Sequence, residues 1–182
     1  WDRCRQVHPP EDIYIATEDQ IIEEYCHSKG INCVNTGPAE TAIDRIKLFS
    51  DIVPADAYIN VQGDEPIANL KDIQTVLDYN NKHPDRVIFG KAEANEEEFR
   101  DYSKAKVVCA PDGRLLYSSR AGIPLSNKGA FIGAERAIWL YAFNKDALDK
   151  YYFGSSTAQL EKMEDNEIIR FLEIGVPVYC TD

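Results

Sequence analysis

Apolar residues along the chain gather in short runs, separated by stretches in which they recur at helical spacing. The first run, Ile13-Tyr14-Ile15-Ala16, reads as a strand, and Thr17 with Gln20 after it has the spacing of a capping box. Ile21, Ile22, Tyr25 and Cys26 then give a helix one apolar face, and Gly30 supplies its left-handed stop. A second strand follows at 31–35. Gly37-Pro38 breaks the chain, and Ile43, Ile46, Leu48 and Phe49 repeat at helical spacing up to a turn near Val53-Pro54. A third strand at 57–61 leads to a helix from about Leu70, with Ile73, Val76 and Leu77 as its inner face, and 87–89 supplies the next strand.

This alternation with short connections predicts an α/β, Rossmann-like fold: a mostly parallel mixed sheet with helices on both faces. The second half changes character. Residues 106–109, the turn Pro111-Asp112-Gly113 and residues 114–117 read as a hairpin, part of an insertion at about 105–135. Residues 138–143 form an apolar run suited to a central strand. Residues 163–173 predict one helix with Ile168, Ile169 and Leu172 inward, closed by Gly175 before a last strand at 176–180. A single domain over 1–182 is expected.

With 182 residues and 44% hydrophobic content, the chain can bury a core without a disulfide or metal staple. Its net charge of -11 repels a phosphate backbone at long range, so a small-molecule partner is expected rather than nucleic acid. Cys4, Cys26, Cys33, Cys109 and Cys180 form no C-x-x-C pair and read as small hydrophobes in a reducing cytoplasm. No apolar run approaches the roughly 18 residues of a membrane span. His8, His27 and His83 share no metal or triad spacing, and no Ser stands in G-x-S-x-G. The opening at Trp1, which reads like the end of a helix, and the stop at Asp182 give the expectation of a longer protein.

In open parallel sheets, ligands sit beyond the carboxyl ends of the strands. The third strand ends in Gln62-Gly63-Asp64-Glu65-Pro66, where a glycine lets backbone approach a ligand and adjacent acids suit Mg2+ held against phosphate oxygens. The same residues also suit an acidic surface turn.

The full run Tyr58-Ile59-Asn60-Val61-Gln62-Gly63-Asp64-Glu65-Pro66 resembles a signature of the CMP-Kdo synthetase family, cytidylyltransferases that activate the acidic sugar Kdo. The resemblance continues through Lys106-Val107-Val108 and through Leu116-Tyr117-Ser118-Ser119-Arg120-Ala121-Gly122-Ile123-Pro124. It extends over Ile138-Trp139-Leu140-Tyr141-Ala142-Phe143, and over Leu160-Glu161-Lys162-Met163-Glu164 with Asn166-Glu167-Ile168-Ile169-Arg170. It implies a nucleotidyltransferase that joins CMP from CTP to a 3-deoxy sugar acid, most simply Kdo, and releases pyrophosphate. It further implies Mg2+ as cofactor, a cytoplasmic homodimer with the hairpin region as a contact, and a place in lipopolysaccharide biosynthesis.

Residue by residue, the resemblance implies Asp64 as the Mg2+ ligand, with Glu65 behind it, and Gln62 and Gly63 beside the cytidine. Thr36 and Arg45 border the base; Arg45 alternatively pairs with Asp44 or a helix end. Arg120 holds the sugar carboxylate, its alternative being a structural ion pair, and Glu167 and Tyr141 lie on the sugar side. Glu161 and Glu164 alternatively carry only solvated helix charges, the reading preferred for Glu164.

Departures from the family pattern are Thr41-Ala42-Ile43 in place of small residues, Arg136-Ala137 where a His is common, and Ile168 where a Gln is common. Neither the family's basic, glycine-containing phosphate loop nor its C-terminal acidic segment is found in 1–182. Two alternatives therefore stand beside the Kdo reading: a cytidylyltransferase for another acidic sugar, and a non-catalytic nucleotide-binding or dimerisation module.

Overall fold

The computed structural model describes residues 1–155 and 158–181. After two 3-10 turns, strand β1 (Ile15–Thr17), helix α1 (Gln20–Lys29) and strand β2 (Cys33–Asn35) form a parallel unit. Then follow α2 (Ala42–Ile52), β3 (Tyr58–Val61), α3 (Leu70–Lys82), β4 (Val87–Ala94) and α4 (Glu96–Arg100). The second half holds β5 (Lys106–Cys109), β6 (Leu115–Ser119), β7 (Ala134–Phe143), α5 (Lys145–Phe153), α6 (Leu160–Glu164), α7 (Ile169–Glu173) and β8 (Val178–Thr181).

The long strand β7 organises the main sheet. It runs antiparallel to β3, β4 and β5, while β8 lies parallel to β4 and β6 antiparallel to β5. Thus β3, β4, β5 and β8 point one way and β6 and β7 the other, which makes the expected mixed sheet. One face packs Ile43 of α2, Leu148 and Tyr151 of α5 and Phe171 of α7 against Phe89, Tyr141 and Phe143. On the other, Ile73 and Val76 of α3 meet Ile88, Leu140 and Ala142. Helices therefore cover both faces, and the hairpin at Asp112-Gly113 forms as expected, with Gly113 at φ +82°.

Three local expectations are corrected. The N-cap of α1 is Asp19, whose carboxylate accepts from the Ile21 and Ile22 amides, while Thr17 Oγ1 accepts the Asp19 amide at 3.0 Å and shapes the turn before it. In α1 only Cys26 is buried; Ile21 is 78% and Tyr25 59% exposed, because among the described residues β1 and β2 pair only with each other and offer too narrow a surface. The helix expected over 163–173 is two helices. Asp165 between them takes φ +46°, and Arg120 binds the carbonyls of Glu164 and Asp165 that an unbroken helix would use internally. Met163 is consequently exposed.

Cys26 and Cys180 are buried, the other three cysteines are half-buried, and none of the five forms a disulfide. Among the described residues no helix is long and apolar enough to cross a membrane.

Candidate active site

Two residues expected at the site converge on the carboxylate of a third. Glu167, in the turn before α7, accepts hydrogen bonds on Oε1 from Tyr141 Oη at 2.9 Å and from Gln62 Nε2 at 3.2 Å. Its Oε2 accepts the Ile43 amide at 3.1 Å, in the first turn of α2. Strand β7 brings Tyr141, the end of β3 brings Gln62, and the helix N-terminus brings an amide with no partner in its own helix. Burial pushes the Glu167 carboxyl above its ordinary range, against the hydrogen bonds from Ile43 and Tyr141. Burial, followed by the facing Glu167, likewise raises the Tyr141 phenol.

Directly beyond Gln62 the chain turns outward. Gly63, Asp64 and Glu65 are exposed, and the Glu65 amide donates to the Gln62 carbonyl at 3.2 Å. No group of three or more His, Cys, Asp or Glu side chains with metal-binding geometry occurs among the described residues. Mg2+ commonly takes one or two carboxylates and completes its shell with water and substrate phosphates, and the exposed Asp64 carboxylate fits that kind of site.

Arg45 ties together the exits of β1 and β2. Its guanidinium donates to Thr36 Oγ1 at 2.8 Å, to the Gly37 carbonyl at 3.1 Å and to Glu18 at 3.3 Å. It does not pair with Asp44, whose carboxylate instead faces Arg170. Arg170 is 2% exposed and holds both Asp44, at 2.8 Å, and Glu161, at 2.6 and 2.8 Å, with its planar group 3.9 Å over the Tyr151 ring. Tyr151 donates to Glu161 at 3.1 Å, and Thr41 both caps the Asp44 amide and donates to Asp44 Oδ2. This buried cluster fixes the start of α2 against α7, the two elements that hold Glu167. Glu161 is thus a buried partner and no solvated charge. The role of Arg170 was not anticipated; the only signal is a charged residue between Ile169 and Phe171, inside an inward-facing run.

Glu164 also departs from expectation. Instead of a solvated charge it is a half-buried acceptor for Tyr117 Oη at 3.2 Å, Ser119 Oγ at 2.8 Å and the Arg120 amide at 3.1 Å. Arg120 lies beside it, donating to the carbonyls of Glu164 and Asp165 at 3.0 and 2.7 Å and pairing with the Asp165 carboxylate at 3.0 Å. Asp165 is 91% exposed in its side chain, so one edge of the guanidinium serves a carboxylate that solvent can replace. Lys106 is wholly buried, with its ammonium on the carbonyls of Asp101, Lys104 and Arg120; burial lowers its pKa.

Of the positions that depart from the family pattern, Ile43, Ala137 and Ile168 are absorbed by the core, while Thr41, Ala42 and Arg136 are half-buried. Ile43 and Ile168 have no exposed surface and Ala137 is 7% exposed.

A family profile described as "Cytidylyltransferase" matches residues 2–177. A 3-deoxy-manno-octulosonate cytidylyltransferase from Koribacter versatilis is 33% identical over 94% of this chain and 66% of its own length. The protein of the same description from Acidobacterium capsulatum is 32% identical over 93% of this chain and 70% of its own. The chain thus spans about two thirds of the length of these relatives. A solved structure of a CMP:2-keto-3-deoxy-manno-octonic acid synthetase complexed with CTP superposes with a TM-score of 0.90 at 27% identity, over 99% of this chain and 75% of that one. Its fold is the mixed, helix-flanked sheet found here. The profile match over nearly the whole chain, joined to that fold, makes this chain a member of the cytidylyltransferase family.

Proposed function

We propose that the protein transfers CMP from CTP to a 3-deoxy sugar acid, with Kdo as the first candidate, and releases pyrophosphate. The observation that carries this reading is the convergence of Gln62, Tyr141 and Glu167 at the carboxyl end of β3, immediately before the exposed Asp64. The curated relatives bear the name of that activity, and the similar solved structure was complexed with CTP.

In this reading the anomeric hydroxyl oxygen of the acceptor forms a bond to the α-phosphorus, in line with the Pα–O bond that breaks. The hydroxyl proton leaves for solvent and pyrophosphate carries away the bonding pair. Catalysis rests on positioning and electrostatics, with no covalent enzyme intermediate. Thr36, Arg45, Gln62 and Gly63 frame the nucleotide, and Arg45 keeps the exits of β1 and β2 in register. Glu167 and Tyr141 take acceptor hydroxyls. Arg120 exchanges its exposed Asp165 partner for the acceptor carboxylate, through a charge-assisted hydrogen bond from Nη2 while its other donors stay on backbone carbonyls. Asp64 would hold Mg2+, which when bound neutralises phosphate charge.

The exposed Leu116, Leu125 and Ile132 near the hairpin support a homodimer contact there. Five scattered cysteines outside any disulfide support a cytoplasmic setting. Asp64→Asn tests the metal role. It is expected to abolish cation-dependent turnover and leave the melting temperature unchanged; near-normal activity removes Asp64 from the mechanism.

A further inference from the structure

Among the described residues, Trp139 of β7 has no ladder partner on either side. On one edge the β3 ladder ends with Val61 opposite Leu140, and β5 begins its pairing at Arg136. Residues 137–139 therefore face a notch between two strands that follow one another along that edge, bridged by the Ala137 amide on the Ala105 carbonyl at 2.8 Å. On the other edge, β4 pairs Phe89 with Tyr141 and Gly90 with Ile138, so one step along β4 spans three along β7. Trp139 and Leu140 bulge. Gly90 permits this close approach, since a Cβ there would stand 3.0 Å from the Ile138 oxygen and 3.2 Å from its Cβ. Bulges of this kind re-aim side chains and are over-represented beside active sites.

The alternation of faces survives the bulge. Leu140 and Ala142 pack on the α3 side, whereas Trp139 joins the cluster of Tyr141 and Phe143 on the opposite face. Trp139 therefore shares its face with Tyr141, whose hydroxyl reaches Glu167. Its neighbours Phe89 and Phe143 have no exposed surface, as residues that only fill a core would. Trp139 is different: its ring leans on Phe89 at 6.0 Å and 50°, yet the residue is only half-buried. Its position follows Leu140 toward the notch, alongside the exit of β3 where Gln62-Gly63-Asp64 begins.

We propose that Trp139 is an acceptor-recognition residue, its indole face stacking on the apolar face of the sugar acid's pyranose ring while Glu167 and Tyr141 engage its hydroxyls. This rests on the cytidylyltransferase reading above. A pyranose presents C–H groups on one face, and the negative face of an indole complements them. The sugar is favoured over the base as occupant because the polar groups sharing Trp139's face, a carboxylate and a phenol, suit a ring rich in hydroxyls.

Trp1 and Trp139 are the two tryptophans of the sequence, so Trp1→Phe isolates the emission of Trp139. Titration of that variant with Kdo and related sugar acids, with CTP present and divalent cations chelated, is expected to change the emission saturably. CTP alone is expected to leave it unchanged. Kinetically, Trp139→Leu is expected to raise the KM for the sugar acid about tenfold, the loss of one good contact, with the KM for CTP within about twofold. Trp139→Phe, which keeps a stacking ring, is expected to retain most of the affinity. An active protein whose emission ignores the sugar acid, or responds to CTP instead, overturns the role of Trp139 alone. A protein without turnover and without an emission change overturns both readings. A sugar-dependent change without turnover upholds the contact and overturns only the proposed reaction.

Discussion

Arg170 and Asp44, 126 residues apart in the chain, form a buried ion pair at 2.8 Å that closes α7 onto the first turn of α2. Glu161 completes the cluster from the other side, so two carboxylates face one guanidinium, and removing Arg170 leaves both behind in a dry site. Removal of a single partner from such a pair costs about 3–5 kcal/mol. Arg170→Met, which strands two carboxylates, is expected at the upper end of that range in urea unfolding, and Asp44→Asn, which leaves the Arg170–Glu161 pair balanced, below it at about 1–3 kcal/mol. A loss below about 1 kcal/mol would mean that water reaches the cluster.

Arg120 joins stability to recognition. Arg120→Ala removes the bonds to the Glu164 and Asp165 carbonyls and is expected both to lower the melting temperature and to raise the KM for the sugar acid more than that for CTP. Asp165→Asn separates the two roles. The pair it weakens is exposed, and such pairs contribute about 0–1 kcal/mol, so stability should hold while the KM for the sugar acid falls or stays level. Equal effects of Arg120→Ala on both substrates would argue against a carboxylate contact.

Glu173 gives the fold a pH-dependent component. Burial raises its carboxyl, but the amides of Leu160, Glu161 and Gln159 donate to it and bring it net below the ordinary range. A folded-state value below the unfolded one contributes stability that is complete above the unfolded value, about 4.3, and lost as pH falls through the folded value. The wild-type melting temperature should therefore exceed that of Glu173→Gln at neutral pH and converge toward it under acid. A gap that stays constant down to the acid transition would contradict this.

Gly90 is required where β4 crosses the bulge of β7. A Cβ there must displace the Ile138 carbonyl, which is backbone, so Gly90→Ala is expected to cost about 1–3 kcal/mol and to shift Trp139 emission in the Trp1→Phe background. An unchanged spectrum with full stability would show that the bulge relaxes freely.

Much of this fold was legible in the pattern of apolar residues, because strands β3, β4 and β7 and helices α2 and α3 bury the residues whose spacing announced them. Ile73 and Val76 are examples. The break at Asp165 was not legible, since the cause is Arg120, 45 residues away, and no local residue signals it. The apolar stripe of α1 misled for the opposite reason: Ile21 and Tyr25 have helical spacing but little surface to pack on. For the site, motif resemblance identified Gln62, Tyr141 and Glu167 singly, and only folding shows that they meet. Glu161 and Glu164 look alike in sequence as helix acids; their partners Arg170 and Ser119 lie 9 and 45 residues away and decide that both are structural acceptors.

The central claim is the transfer reaction, and pyrophosphate release by the protein with CTP, Mg2+ and Kdo tests it most directly, with ATP and other sugar acids as controls. Release that requires CTP and a 3-deoxy sugar acid together, and disappears in Asp64→Asn, is the predicted result. Absence of release with every pair, from folded protein that still binds CTP, would contradict it and leave a nucleotide-binding module.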